Sequence, residues 1–374
     1  MGTVNVHHAV TSDGVIEDAA IVFEGDRIVE IRPELQDTPD GLWAVPGFVD
    51  THCHGAVHVA FGDPDLEANR RARRFHLEQG STTLYASTVT LSIEEIERQS
   101  AVLAELHAEG IIDGIHLEGP FLAPEKKGAH PESLLIDPAP DVVERLIAAG
   151  GEALKMITMA PERGHSIDAI RRFTEAGVVV AFGHSAADAE TCRASIEAGA
   201  TAATHLFNAM NGIHHRQPGP IPELLHDDRV LIELICDGVH LHPDVVRLAF
   251  DAAGPDRIAL VTDAMAATGA ADGEYMLGTL GVVVRDGVAR LTTEDGSEGA
   301  IAGSTLTMAN AFRFCVEQVG LSIPEVAVMA ATTPARHHGL TDVGEIAIGK
   351  RADLCIVDEG GALQQVWRAG ERIV

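Results

Sequence analysis

The chain has 374 residues, long enough for a large barrel domain with a small accessory one, and its 46% hydrophobic and 22% charged residues are the balance of a soluble globular protein. With 27 lysines and arginines against 56 aspartates and glutamates, the formal charge is −29, which argues against nucleic acid or an anionic membrane as partner. The same field disfavours an anionic substrate at long range, so any phosphate must be captured by local cations.

In chain order, residues 1–43 read as short strands with turns: Val4–Val10, Ala20–Phe23 and Arg27–Ile31, the last two joined by a turn at Glu24-Gly25-Asp26. Eight short apolar runs then read as buried parallel strands: Ala44–Asp50, Thr82–Ser87, Gly114–Leu117, Leu154–Met159, Val178–Phe182, Ala202–His205, Leu231–Ile235 and Ile258–Thr262. Helical patterns lie between them at Glu67–Gln79, Ser92–Glu109, Pro140–Ala149, Ser166–Ala176 and Asp188–Ala198. A further β-rich stretch, Glu274–Thr293, has a turn at Asp286-Gly287. The carboxy-terminal runs Ala352–Val357 and Val366–Ala369 are expected to pair with the amino-terminal strands into one small β-sandwich. The expected domains are therefore 1–45 with 341–374 as the sandwich and 46–340 as the barrel, with 272–299 as a β-rich insertion.

Eightfold strand–helix alternation fits a (β/α)₈ barrel or an open doubly wound sheet. Polar residues decide between them. His52 and His54 follow the first run, Glu118 the third and His184 the fifth; His205 ends the sixth, and Asp263 follows the eighth. A barrel gathers strand C-termini into one mouth, where active sites sit. An open sheet would spread these residues too widely to meet.

In 46–55, PGFVDTHCHG, residues i and i+2 of an extended strand face the same side, so His52 and His54 can reach one ion while Cys53 turns into packing. Taken alone, the pair reads equally as two half-buried strand histidines. Together with the other strand-end residues it predicts a divalent metal centre. Glu118, His184 and His205 form a three-ligand set that leaves a position open for water. His52 and His54 build a second site with Glu118 bridging. Asp263, counted among the metal residues, is the expected proton carrier, because a metal lowers the pKa of its water to roughly 7 and a neighbouring carboxylate can take the proton. Imidazole with carboxylate suits one or two ions per subunit, Zn²⁺ first, with Fe²⁺, Mn²⁺ or Co²⁺ as options.

These motifs resemble the amidohydrolase superfamily and, within it, the N-acetylglucosamine-6-phosphate deacetylases. The resemblance runs through PGFVDTHCHG (46–55), HLEGPFLAPEKKGAHPE (116–132), FGHSAAD (182–188), THLFNAMNGIHHRQPG (204–219), CDGVHLHP (236–243), LVTDAMAATG (260–269) and IAGSTLTM (301–308). GEIAIGKRADLCIVD (344–358) is shared with many amidohydrolases. The resemblance implies hydrolysis of the N-acetyl group of N-acetylglucosamine 6-phosphate by a homodimeric enzyme. His130 would hydrogen-bond the acetamide carbonyl. Asn208, the backbone of Ala209, Arg216 and His240 would face the phosphate, with Ala129 near the sugar and Ile301 near the acetyl methyl. Another N-acyl amino sugar or a cyclic amide is the alternative substrate class. Dihydroorotase-like relatives bridge their metals with a carboxylated lysine at a strand end, but Lys155 begins its strand. A scaffold without activity would have lost ligands, and all six are present. His58 and the loop 56–63 depart from the family pattern.

Five cysteines (53, 192, 236, 315 and 355) stand far apart without a CxxC pair, which fits small buried residues in a reducing compartment. The start of the chain lacks a basic segment followed by an apolar one, and no apolar run reaches ~18 residues. The expected location is the cytoplasm.

Overall fold

A computed structural model describes residues 1–33, 39–293, 297 and 299–374. Residues 34–38 of the expected sandwich, and 294–296 and 298 of the expected insertion, lie outside the described residues.

Eight parallel strands form the centre: β1 (Phe48–Cys53), β2 (Ser81–Thr88), β3 (Gly114–Glu118), β4 (Leu154–Met159), β5 (Val179–Phe182), β6 (Ala200–Ala203), β7 (Leu231–Leu234) and β8 (Ile258–Leu260). Each pairs with the next in sequence. The sheet closes where Cys53 and Ala264 bridge in parallel. There the Asp263 amide donates to the His52 carbonyl at 2.8 Å and the His54 amide to the Ala264 carbonyl at 2.8 Å. Helices between the strands pack their apolar faces outside the barrel, and their starts are fixed locally. Asp65 caps Leu66–Glu78, a Ser92–Glu95 capping box opens Ile93–Ala108, and Asp188 caps Ala189–Ala198.

The barrel interior is layered. Met156, Ala181, Ala202, Leu231 and Ala259 form a small apolar cluster. In the polar layer, the Cys53 amide donates to Ser87 Oγ (3.0 Å), which is hydrogen-bonded to His116 Nδ1 (2.9 Å). His116 Nε2 is hydrogen-bonded to Thr158 Oγ1 (2.8 Å), which pairs with Thr204 Oγ1 (2.6 Å). Burial, reinforced by the nearby His52, holds the His116 pKa well below its usual value. His116 is thus a neutral strut packed edge-on to the His52 ring.

Both chain ends build one seven-stranded sheet, in the order Glu371–Arg372, Leu363–Arg368, Leu354–Val357, Trp43–Pro46, Gly2–Thr11, Gly14–Glu24, Arg27–Pro33. Its core includes Val6, Ile21, Ile28, Leu354 and Ile356. The single strand expected over 44–50 is two: Trp43–Pro46 joins the end sheet, and the barrel begins at Phe48. Gly47 makes the break, since a Cβ there would lie 2.3 Å from Thr82 Oγ1. The β-rich stretch after β8 is a three-stranded antiparallel sheet, Gly273–Leu277, Leu280–Arg285 and Val288–Leu291, turning at Asp286 (φ 51°) and Gly287 (φ 74°). Its apolar face packs on Val89, Ala129 and Met265 beside the barrel mouth. His58 also finds its place: its amide donates to the Ala266 carbonyl (2.7 Å) and its ring stacks on Tyr275 (5.4 Å), tying the loop after β1 to this sheet. Among the described residues no helix is long and apolar enough to cross a membrane.

Candidate metal centre

Each strand-end residue is aimed by local backbone. Between Asp50 and Cys53 the β1–β2 register shifts by one residue, a bulge that turns both Thr51 and His52 inward. Cys53 turns outward, its Sγ 3.2 Å from His76 Nε2. Glu118 ends β3. His184, His205 and Asp263 follow β5, β6 and β8 in left-handed backbone, at φ 47°, 30° and 49°. His205 was expected to end a strand, but the strand stops at Ala203 and the turn aims its ring inward. Non-glycine residues held in this region cost energy and mark sites the surrounding fold over-determines.

The donor atoms form two triangles. His184 Nε2 and His205 Nε2 are 3.1 Å apart, and each is 3.2 Å from Glu118 Oε1. His52 Nε2 and His54 Nε2 are 3.1 Å apart and lie 3.5 and 3.2 Å from Asp263 Oδ1. Glu118 joins the two, with Oε1 3.6 Å from His52 and Oε2 3.3 Å from His54. Donors on a tetrahedral zinc with bonds of about 2.0–2.1 Å stand roughly 3.3 Å apart. Both triangles have that size. His184 Nδ1–H donates to the Lys126 carbonyl (2.8 Å), so its Nε2 lone pair faces the gap. The residues therefore fit one or two divalent ions.

Electrostatics agree. Glu118, Asp263 and Glu233 are buried carboxylates. Among the described residues no lysine or arginine pairs with any of them, and histidines are their partners. Burial alone would lower the His52 pKa, but Asp263, Glu118 and Glu233 outweigh it and raise it to about 10. Burial would raise the two ligand carboxylates, yet the histidines hold Glu118 well below its usual range and Asp263 at about 2. Without a metal, the site balances its carboxylates with imidazolium protons. The same residues would hold a divalent cation in place of those protons.

His130 completes the site. The Thr90 amide donates to His130 Nδ1 (3.3 Å), which leaves the proton on Nε2; that N–H points at Glu118 Oε2 (3.3 Å). Ala129, Asn208, Ala209, His240 and Ile301 line the same cavity, while His52 lies beneath it. Asn208 Nδ2 also ties its own turn by donating to the His205 carbonyl (3.1 Å). Arg216 is not among the lining residues. It sits in an exposed loop with its guanidinium on His215 Nε2 (2.7 Å).

Three contributors escape the motif reading. Glu233 on β7 faces His52 Nδ1 (3.3 Å); its only trace in the sequence is a charge inside the apolar run 231–235. Asp237 Oδ2 accepts from His240 Nδ1 (2.6 Å), which fixes that ring and, against the pull of burial, raises its pKa. Glu162 accepts from Ser185 Oγ (2.7 Å) and the Ala186 amide (2.5 Å), bracing the turn after His184. A further group, Asp50, Cys53 and His76, lies behind β1. The Asp50 oxygens are engaged by Thr262 and the His52 amide, which makes this group packing rather than a centre.

Residues 43–373 match the model of the amidohydrolase family. The chain is 34% identical over 371 residues to N-acetylglucosamine-6-phosphate deacetylase of Lysinibacillus sphaericus, covering 96% of this chain and 95% of that one. It is 34% identical over 378 residues to N-acetylgalactosamine-6-phosphate deacetylase of Shewanella sp. (strain ANA-3), covering 99% and 92%. Among solved structures, N-acetyl-D-glucosamine-6-phosphate deacetylase of Mycobacterium smegmatis, in complex with N-acetyl-D-glucosamine-6-phosphate, superimposes with a TM-score of 0.93 at 40% identity, covering 100% and 99%.

Proposed function

The chain belongs to the amidohydrolase family, and from that premise we propose that it hydrolyses N-acetylglucosamine 6-phosphate to glucosamine 6-phosphate and acetate. One observation carries the reading: two donor triangles are joined through Glu118 at the base of a cavity into which His130 presents an N–H.

His184, His205 and Glu118 would hold one divalent ion, and His52, His54, Glu118 and Asp263 a second. The nitrogen-and-oxygen donor set favours Zn²⁺, with Fe²⁺, Mn²⁺ or Co²⁺ able to substitute. When bound, the ion supplies Lewis-acid polarisation of the acetamide carbonyl and acidifies water. The chain's own groups do the rest. His130 Nε2–H donates to the carbonyl oxygen as negative charge builds there. Asp263, ionised at neutral pH, accepts the proton of the attacking water and returns it to the leaving nitrogen as the C–N bond breaks. Ile301 and Ala129 wall the acetyl and sugar ends.

For the phosphate we assign Asn208, the Ala209 amide and His240 from the same chain. Arg216 lies outside its own cavity, so we assign it to the site of a neighbouring copy in a homodimer. The five free, buried cysteines favour a reducing compartment, the cytoplasm. A second reading, N-acetylgalactosamine 6-phosphate as substrate, is favoured by the likeness to the Shewanella protein. Acetate and free-amine release from both phosphorylated sugars, and from unphosphorylated N-acetylglucosamine, tests the proposal. A clear preference for the glucosamine epimer supports it, the reverse preference supports the second reading, and no preference for phosphate overturns both.

A further inference from the structure

Glu233 has no place in the chemistry above, yet it is fully buried beside the site, at 0% exposure. A carboxylate in that position is costly unless its charge is matched and its oxygens are hydrogen-bonded. Among the described residues two side chains lie within hydrogen-bond distance of its carboxylate: Thr51 Oγ1 donates to Oε1 (3.2 Å), and His52 Nδ1 lies 3.3 Å from Oε2. The half-buried His337 adds an electrostatic contact. Thr51 and His52 both come from the β1 bulge, so the irregularity that turns them inward together is also what brings them to Glu233.

We propose that Glu233 is a positioning residue for a second metal ion: by holding the proton of His52 on Nδ1, it leaves Nε2 bare toward His54, Asp263 and Glu118. A histidine has one ring nitrogen for a metal only when the other carries the proton, and a carboxylate at that second nitrogen fixes the tautomer and raises ligand basicity. The other triangle has a different device, because His184 is held by the Lys126 carbonyl. The two triangles are therefore supported independently, and Glu233 serves one of them. The inference rests on the metal-dependent reading above and concerns the support of its second ion.

The test is metal stoichiometry. Stripped protein is equilibrated with zinc at buffered free concentrations and the bound metal per chain is measured. Wild type should fill in two steps. Glu233→Gln is isosteric but uncharged, and it should weaken the second step by about 10–100-fold while leaving the first within a few-fold. His52→Ala should abolish the second step. Should Glu233→Gln fail to fold, Thr51→Val removes a donor from Glu233 and should shift the same step in the same direction. Unchanged second binding in the folded variant, or a wild type that never exceeds one ion, overturns the inference and leaves the hydrolase reading standing. A wild type that binds no zinc defeats the metal reading itself.

Discussion

Asp263→Asn separates proton transfer from site assembly. Asparagine keeps the side-chain shape and is among the few residues that tolerate left-handed backbone, so the φ of 49° at this position is not a reason for the variant to misfold. The Asp263 amide bond to the His52 carbonyl and the Ser304 amide bond to the Asp263 carbonyl use backbone only, and they persist. What disappears is the charge 3.2 Å from His54 and 3.5 Å from His52, together with the capacity to accept a proton. The triangle of His184, His205 and Glu118 does not touch Asp263 and should keep its ion. General acid–base groups contribute about 10²–10⁴-fold, so kcat should fall at least ~10²-fold, or about 2.7 kcal/mol of barrier. The assay pairs steady-state acetate release with metal content per chain. A variant within a few-fold of wild type would assign the base elsewhere. Loss of all metal would show Asp263 to be chiefly structural.

Arg216→Ala should cost roughly 10–150-fold in kcat/KM for the phosphorylated sugar, the range of a charge-assisted contact of about 1.5–3 kcal/mol, and much less for unphosphorylated N-acetylglucosamine. Equal losses would make it structural, and mixing Arg216→Ala with a Asp263→Asn chain should restore activity in hybrid dimers if the arginine acts across subunits. In metal-free protein, His52 has a pKa of about 10 against roughly 6.5 unfolded, so its contribution to stability is complete below pH 6.5 and is lost as pH rises through 10. The gap in Tm between metal-loaded and metal-free protein should therefore widen from pH 7 to pH 10. A constant or narrowing gap would contradict the role given to His52.

The sequence revealed the site to the extent that its chemistry stands at strand ends. His52, Glu118, His184, His205 and Asp263 are far apart in the chain, and a closed barrel is the fold that brings such ends together. The same periodicity placed the five helices it named to within a residue or two, and named none of Ile221–His226, Pro243–Ala253 or Met308–Phe314. It did not find the break at Gly47, where what forbids a side chain is the close approach of Thr82, a contact between separate strands. Nor did it anticipate the bulge at Thr51 and His52, since β1 is buried on both faces and has no apolar alternation for an extra residue to break. Glu233 was hidden for a related reason: its neighbours Leu231, Ile232, Leu234 and Ile235 identify a core strand, and its partner is a ring nitrogen 181 residues away. Arg216 shows the opposite limit. Its motif suggests phosphate, but Arg216 is exposed and is not among the residues that line the cavity, and a motif does not report where a loop lies in the fold.

The central claim is metal-dependent removal of an acetyl group from a phosphorylated amino sugar. Its most direct test is acetate measured from N-acetylglucosamine 6-phosphate with metal-stripped protein and with the same sample reloaded with zinc. The structure predicts no release above background from stripped protein. On reloading, acetate and glucosamine 6-phosphate should appear in equal amounts. Full activity in the stripped sample, or none in a reloaded sample whose two sites are filled, would contradict it.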